Sequence, residues 1–362
     1  MTAIEQVLTL VRPDILALTA YSSARKESKG WRASPEPSRW VWLDANENPE
    51  TPSAHKPLLN RYPEPQPADL VAQLAALYGV APAQVLVTRG SDEGLDLLLR
   101  TFCRAGQDAI LITPPTYGMY VVAAGIQGAR TVAVPLVREQ NFALNATAIL
   151  KAVTPEVKLV FLCSPNNPTG GLLARDAVLS LVNSLAGRAV VVVDEAYVDF
   201  SGQPSLATAI AAHPNLVVLR TLSKAYGLAG ARVGTTIADP VVIAVLQKVI
   251  APYPVPTPVL SAALAALTPA GLAAAHESAA MLVTERTRLA AALAKLPAVR
   301  RVWPSDANFL LVEVADSTKA MAAGRAAGVI WRDRSKDVPN SIRITVGTAE
   351  ENNSTLEVLS RA

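Results

Sequence analysis

From residue 85 to residue 237 the chain repeats one pattern: a short apolar run, a turn bearing Gly, Pro or Asn, then apolar residues at helical spacing. The runs at 85–88, 109–113, 130–134, 158–163, 189–194, 216–220 and 232–237 read as strands. Several are apolar at both parities, as in Val190-Val191-Val192-Val193. Such a strand suits a sheet covered on both faces, not one with a wet side. Strands alternating with helices over this length predict an α/β domain around a largely parallel sheet. Ligands bind such sheets beyond the carboxyl ends of the strands. Four of those ends carry polar, turn-forming residues: Gly90-Ser91-Asp92, Asn167, Asp194 and Ser223-Lys224. At the first, Arg89 to Gly94 leads into the helical period Leu95, Leu98, Leu99, Phe102. Free N–H groups at a helix start can cradle a phosphate. No G-x-G-x-x-G follows the first strand, which disfavours a dinucleotide fold.

The most informative stretch runs from Leu219 to Gly234. It places Lys224 among Ser, Ala, Tyr, Gly and Leu with no carboxylate nearby in sequence. Such surroundings lower an amine's pKa, and only the neutral amine attacks an aldehyde. Ser223 and Arg232 add a hydroxyl and a guanidinium fork, suited to a phosphate dianion. Asp194 ends an apolar strand, where a carboxylate is costly unless it meets a cation or caps the next helix.

Ser223-Lys224 with Arg232 resembles the lysine motif of fold type I pyridoxal-phosphate (PLP) aminotransferases. Ser164-Pro165-Asn166-Asn167-Pro168-Thr169-Gly170 and Asp194-Glu195-Ala196-Tyr197 lie upstream in that family's order. Among its class II members the resemblance is to the histidinol-phosphate aminotransferases, over nearly the whole chain. It implies a large domain with a mostly parallel seven-stranded sheet plus a smaller α+β domain. It makes Lys224 the covalent anchor and proton carrier, Asp194 the partner of the ring nitrogen, and Tyr197 and Asn167 donors to the ring O3′. Tyr117 would stack on the ring. Gly90, Ser91, Asp92, Thr221, Ser223 and Arg232 would complete the cofactor contacts, with Tyr62 reaching in from a neighbouring subunit. Substrate would meet Tyr21, Asn46, Tyr117, Asn167, Arg332 and Arg343. The implied reaction interconverts histidinol phosphate plus 2-oxoglutarate with imidazole acetol phosphate plus glutamate, in histidine biosynthesis, by a homodimer with shared sites. An aromatic-amino-acid aminotransferase and a threonine-phosphate decarboxylase of the same fold are the enzyme alternatives. A PLP-sensing regulator is disfavoured, because no DNA-binding module precedes the PLP domain.

The expected organisation is an N-terminal arm (1–42) joining the small domain, a large PLP-binding domain (43–250) and a small domain (251–362). The proline-rich run Ala251 to Pro258 marks the boundary. Within the small domain, strands are expected at 299–302, 308–314, 329–332 and 342–346, with helices at 317–327 and from Ala349. In the strand expected at 342–346, Arg343 alternates to the opposite face from Ile342 and Ile344.

With 51% hydrophobic and 17% charged residues the chain has a globular composition. A net charge of +3 without a basic, aromatic-interleaved run gives nucleic-acid binding no support. Cys103 and Cys163 share no ligand or redox spacing, and the three histidines are scattered, so no metal site is expected. Free thiols and a polar amino terminus lacking signal-peptide features point to the cytoplasm.

Overall fold

The computed structural model describes residues 1–20, 43, 45–50 and 59–361. Seven strands form the central sheet: β1 (Val85–Thr88), β2 (Ala109–Ile112), β3 (Arg130–Ala133), β4 (Val157–Cys163), β5 (Val190–Asp194), β6 (Leu216–Thr221) and β7 (Gly234–Ile237). Their order is β1-β7-β6-β5-β4-β2-β3, and only β7 pairs antiparallel with its neighbours.

The apolar runs at both parities have the expected reason. In β5, Val191 and Val193 enter one core and Val190 and Val192 the other. In β6, Leu216 and Val218 face the first core, Val217 and Leu219 the second. Helices Ala68–Tyr78, Ala146–Ala152 and Arg175–Ser184 cover the first face. Helices Gly90–Phe102, Met119–Gln127 and Pro240–Leu246 cover the other. The sheet is therefore the middle of three layers, and its polar groups gather at one edge.

Antiparallel β7 brings Arg232 to that edge. The residues just before β7 stand beside the carboxyl end of β6, where Thr221 pairs with Gly234. Glycine is required at Gly90 and Gly234 by close approach. A Cβ on Gly234 would run into the Gly90 backbone, and one on Gly90 into the Arg232 guanidinium. Gly90 also has φ +74°, which a side chain would strain.

The amino terminus differs from its expected placement. Val7, Leu10, Val11 and Ile15 bury themselves in the second core of the large domain, not against the small domain. Arg12 donates to the carbonyl of Arg100 at 3.0 Å, and Lys248 to that of Leu16 at 2.8 Å. The apolar face of helix Ala3–Leu10 packs on helix Pro240–Leu246.

The proline-rich run does not divide the packing cleanly either. Helix Thr257–Ala266 packs on helix Ala68–Tyr78, with Val255 and Ala263 in the first core. The smaller unit is built instead on helices Pro269–Leu293, Ser317–Ala326 and Ala349–Ser360. They pack against an antiparallel sheet of β8 (Val299–Val302), β9 (Phe309–Val314), β10 (Arg332–Asp333) and β11 (Ser341–Thr345), ordered β10-β11-β9-β8. β10 starts later than its apolar run suggests. Trp331 turns into the small core, its indole N–H donating to Thr355 at 3.3 Å, so the ladder begins only at Arg332. Among the described residues no single helix is long and apolar enough to cross a membrane; the apolar pair Thr257–Ala266 and Pro269–Leu293 is bent by 72°.

Candidate active site

A cavity of about 500 Å³ opens at the polar edge of the large sheet and is closed on one side by β10 and β11. Its walls include Ser91, Asp92, Tyr117, Asn167, Asp194, Tyr197, Thr221, Ser223, Lys224, Arg232, Arg332 and Arg343, gathered from five strand ends and the small sheet. Gly90 lies beneath it, against Arg232.

Asp194 is the deepest charge. It is 4% exposed, accepts from the Tyr120 hydroxyl at 2.9 Å and from the Ala196 N–H at 3.2 Å, and has no cationic partner among the described residues. Burial pushes its pKa up to about 6, against the lowering effect of those two hydrogen bonds. Tyr120, which the sequence reading did not single out, is fully buried on helix Met119–Gln127. It stacks on Phe161 at 4.9 Å and meets the edge of Tyr117 at 5.5 Å. Its only sequence signal is a tyrosine in an otherwise apolar helix, which reads equally well as core.

Lys224 lies on the turn after β6, reachable through the cavity mouth, with its Nζ 5.5 Å from the Tyr197 ring centre. Burial among the cavity walls lowers its pKa, and the Arg343 and Arg232 charges lower it further. Among the described residues its Nζ makes no hydrogen bond or ion pair. An unpaired amine with a lowered pKa is the form that can attack a carbonyl.

At the other end, Arg232 donates to Ser223 Oγ at 3.2 Å and to Asp92 Oδ2 at 3.1 Å. Ser223 also accepts from the Thr221 hydroxyl at 2.9 Å. Asp92 accepts from Tyr117 at 3.0 Å as well, so its carboxylate spans two cavity walls. Burial first, then Asp92, raise the Tyr117 pKa; burial also raises that of Tyr197.

The third group is a set of arginines. Arg332 on β10 pairs directly in register with Arg343 on β11. Ile342 and Ile344 enter the small core while Arg343 faces the cavity. Arg343 donates to Asn167 Oδ1 at 2.5 Å and its Nε is buried without a partner. Arg334, which the sequence reading also passed over, lines the same wall and is braced by Asp337 at 3.1 Å. The only hint in the sequence is its two-residue spacing from Arg332.

Three expected site residues stand apart. Tyr21 lies outside the described residues. Asn46 is exposed, with φ +55°, and does not line the cavity. Its neighbour Glu47 accepts from the Tyr62 N–H at 2.7 Å and pairs with Arg61 at 2.8 Å. Tyr62 is 52% exposed, stacked on Tyr253 at 4.5 Å, and does not line this chain's own cavity.

This three-layer sheet, with its unpaired lysine and buried aspartate at one edge, defines a transferase of the aminotransferase type. The family model for class I and II aminotransferases matches residues 38–359. A histidinol-phosphate aminotransferase of Stenotrophomonas maltophilia is 49% identical, over 99% of this chain and 97% of its own length. One from Aeromonas salmonicida is 47% identical, over 98% of both chains. The chain belongs to the class I and II aminotransferases, in their histidinol-phosphate aminotransferase family. Among solved structures, the histidinol-phosphate aminotransferase of Sinorhizobium meliloti, in complex with pyridoxal 5′-phosphate, shares the fold. Its TM-score is 0.74 at 24% identity, over 97% of this chain and 87% of that one. A putative histidinol-phosphate aminotransferase from Erwinia carotovora gives 0.75 at 28% identity, over 84% and 88%.

Proposed function

We propose that this chain transfers the amino group of L-histidinol phosphate to 2-oxoglutarate, giving imidazole acetol phosphate and glutamate, in histidine biosynthesis. The observation that carries the substrate class is the register pair Arg332 and Arg343, with Arg334 on the same wall. Like charges directly opposite on neighbouring strands are destabilising, so an anion must offset them when the site works. One carboxylate does not need three guanidinium groups; a phosphate dianion in one half-reaction and a dicarboxylate in the other use them all.

The residues fit pyridoxal 5′-phosphate. Asp194 is a buried carboxylate lacking a cation, which the ring N–H supplies. Gly90, Ser91 and Asp92 open a helix whose free N–H groups suit the phosphate, with Thr221, Ser223 and Arg232 beside them. Lys224 is an amine without an ion pair. When bound, the cofactor supplies an aldehyde that holds the substrate's nitrogen and a ring that delocalises the electron pair left on Cα. Asp194 keeps the ring nitrogen protonated. Tyr197 and Asn167 would bond O3′, and Tyr117 would lie against the ring. Lys224 Nζ would move the proton between substrate Cα and cofactor C4′. Arg343, fixed on Asn167, and Arg332 hold the substrate's anionic end. Asn46 and Tyr21 belong to the substrate side of this reading. The large PLP-binding unit then takes in the amino-terminal helix and runs on through helix Thr257–Ala266, and the buried thiols Cys103 and Cys163 suit a reducing cytoplasm.

Half-reactions test it. The loaded enzyme is mixed with histidinol phosphate, phenylalanine or threonine phosphate, without 2-oxoglutarate, and the cofactor's visible absorption is followed. Conversion to the amine form at least about a hundredfold faster with histidinol phosphate, roughly 2.7 kcal/mol of discrimination, is expected. Faster conversion by phenylalanine would make it an aromatic aminotransferase, and CO₂ release from threonine phosphate a decarboxylase.

The same reading includes a homodimer with shared sites. The arm at 61–67 holds Tyr62 exposed, and Tyr62 does not line its own chain's cavity. In an isologous dimer it reaches the cofactor phosphate of the second copy. Lys224→Ala and Tyr62→Asp, each inactive alone, then complement. An equal mixture, unfolded and refolded together, gives half mixed dimers with one sound site each, hence about a quarter of wild-type activity. A mixture as inactive as its parents would mean that Tyr62 serves its own chain.

A further inference from the structure

We propose that the buried ionic cluster of Arg220, Glu195, Asp199 and Tyr226 is a positioning clamp that sets the lysine turn against the Asp194 strand. The four residues touch neither the cavity nor one another in sequence, yet each adjoins a site segment. Glu195 follows Asp194. Arg220 precedes Thr221. Tyr226 belongs to the turn closed by the Gly227 N–H on the Lys224 carbonyl at 3.1 Å. Asp199 sits on the short helix Val198–Phe200, directly after Tyr197.

The contacts link these segments. Arg220 donates to Asp199 Oδ1 at 2.6 Å and reaches Glu195 Oε2 at 3.5 Å, its guanidinium 4.8 Å from the Tyr78 ring centre. The same Asp199 oxygen accepts the Tyr226 hydroxyl at 3.3 Å. Glu195 is held from behind by Ser205 and by the Leu206 N–H at 2.7 Å. The cluster therefore joins the end of β6 to the end of β5 through one guanidinium, and the lysine turn to both through the Tyr226 hydroxyl on Asp199. It does so on the face of the sheet opposite Asp194, since Tyr78 and Tyr226 lie in the first core and Tyr120, which bonds Asp194, in the second.

Stability does not account for this arrangement. Arg220 is 4% and Glu195 3% exposed, two carboxylates face one arginine, and the Arg220 Nε is buried without a partner. Burying such groups costs desolvation that an apolar filling would avoid. What the charges do provide is direction: a guanidinium fork fixes the angle and distance between the groups it bridges. Arg220 lies on the strand that leads to Lys224, and the carboxylates it grips follow Asp194; the separation of Lys224 and Asp194 must match a rigid ring. A misplacement on the order of 1 Å is enough to cost catalysis heavily.

The test removes a single hydroxyl. Tyr226→Phe cuts the clamp's link to the lysine turn and leaves Arg220 paired with both carboxylates. The cofactor-free protein is mixed with pyridoxal phosphate, and covalent capture is timed by borohydride quenching and mass spectrometry. Capture slows roughly tenfold and kcat falls by a similar factor. KM for both substrates stays within about twofold, as does the affinity for pyridoxine phosphate, which has the phosphate but no aldehyde. Leu181→Ala, a cavity on the same face of the sheet but away from the turn, serves as the stability control. It lowers the melting temperature and leaves capture and kcat unchanged. If Tyr226→Phe also loses only melting temperature, or if its loss is entirely in KM, the clamp is structural and the proposal is overturned. The proposal rests on Lys224 as the covalent anchor. If Lys224→Ala still fixed the cofactor under borohydride, that assignment would fail first and separately.

Discussion

Lys224→Ala is expected to abolish transamination while the protein still binds pyridoxal phosphate, now without a covalent link. The phosphate contacts proposed above, from Ser91, Ser223 and Arg232, do not depend on the lysine side chain. The Ser223–Arg232 bond and the packing of Arg232 over Gly90 remain when the amine is removed. What disappears is the nucleophile and the proton carrier. Positioned acid–base catalysis alone is worth roughly 10² to 10⁴-fold, so kcat falls by at least about 10²-fold. Borohydride reduction followed by peptide mapping reads the covalent link, and equilibrium dialysis reads the affinity. Cofactor that remained fixed to the chain would place the anchor on another residue.

Asp194→Asn has two expected effects of opposite sign. The amide is nearly isosteric and can still bond Tyr120 and the Ala196 N–H, so the fold survives. A neutral amide no longer holds the ring nitrogen protonated, and transamination falls about a hundredfold or more, at least ~2.7 kcal/mol of barrier. A loss below about tenfold, ~1.4 kcal/mol, would remove Asp194 from that role. Stability of the cofactor-free protein moves the other way. The unfolded carboxyl titrates near 3.8 and the folded one at about 6, so the folded chain holds the extra proton between these values. Stability is greatest below the lower value and is lost as pH rises through the upper one. At neutral pH the loss is on the order of 3 kcal/mol. The Asn variant has no such loss. Urea unfolding of the two cofactor-free proteins should show the variant more stable at pH 7.5, with the gap closing near pH 4. A wild type equally stable at both pH values would mean that the buried carboxyl is not raised.

The sequence revealed much of this because two kinds of signal are local. Valines at both parities announce a strand covered on both faces, and the ends of such strands announce where polar groups collect. Arg343 was legible for the same reason, since alternation between Ile342 and Ile344 sets its face. The misses are non-local. Arg334 lies past a two-residue strand whose start is fixed by Trp331 turning into the core, a tertiary choice that no run of residues records. Tyr120 is one apolar helix residue among others until the fold sets it against Asp194. The first helix carried an amphipathic stripe, but a stripe does not name the surface it will cover. Its partner, helix Pro240–Leu246, lies far along the chain.

The reversed direction of β7 has a consequence for how this site can change. Because Thr221 is laddered to Gly234 and the Leu222 N–H bonds the Val233 carbonyl at 3.0 Å, the excursion 222–233 leaves and returns at one fixed point. Lys224 stands near its departure and Arg232 near its return. On the proposed roles of Lys224 and Arg232, the excursion would work as a ruler between the amine for the aldehyde and the fork for the phosphate, set to the length of one small molecule. Insertions in the crossovers that join the parallel strands are absorbed on the surface. One residue added or removed within this loop changes the spacing itself.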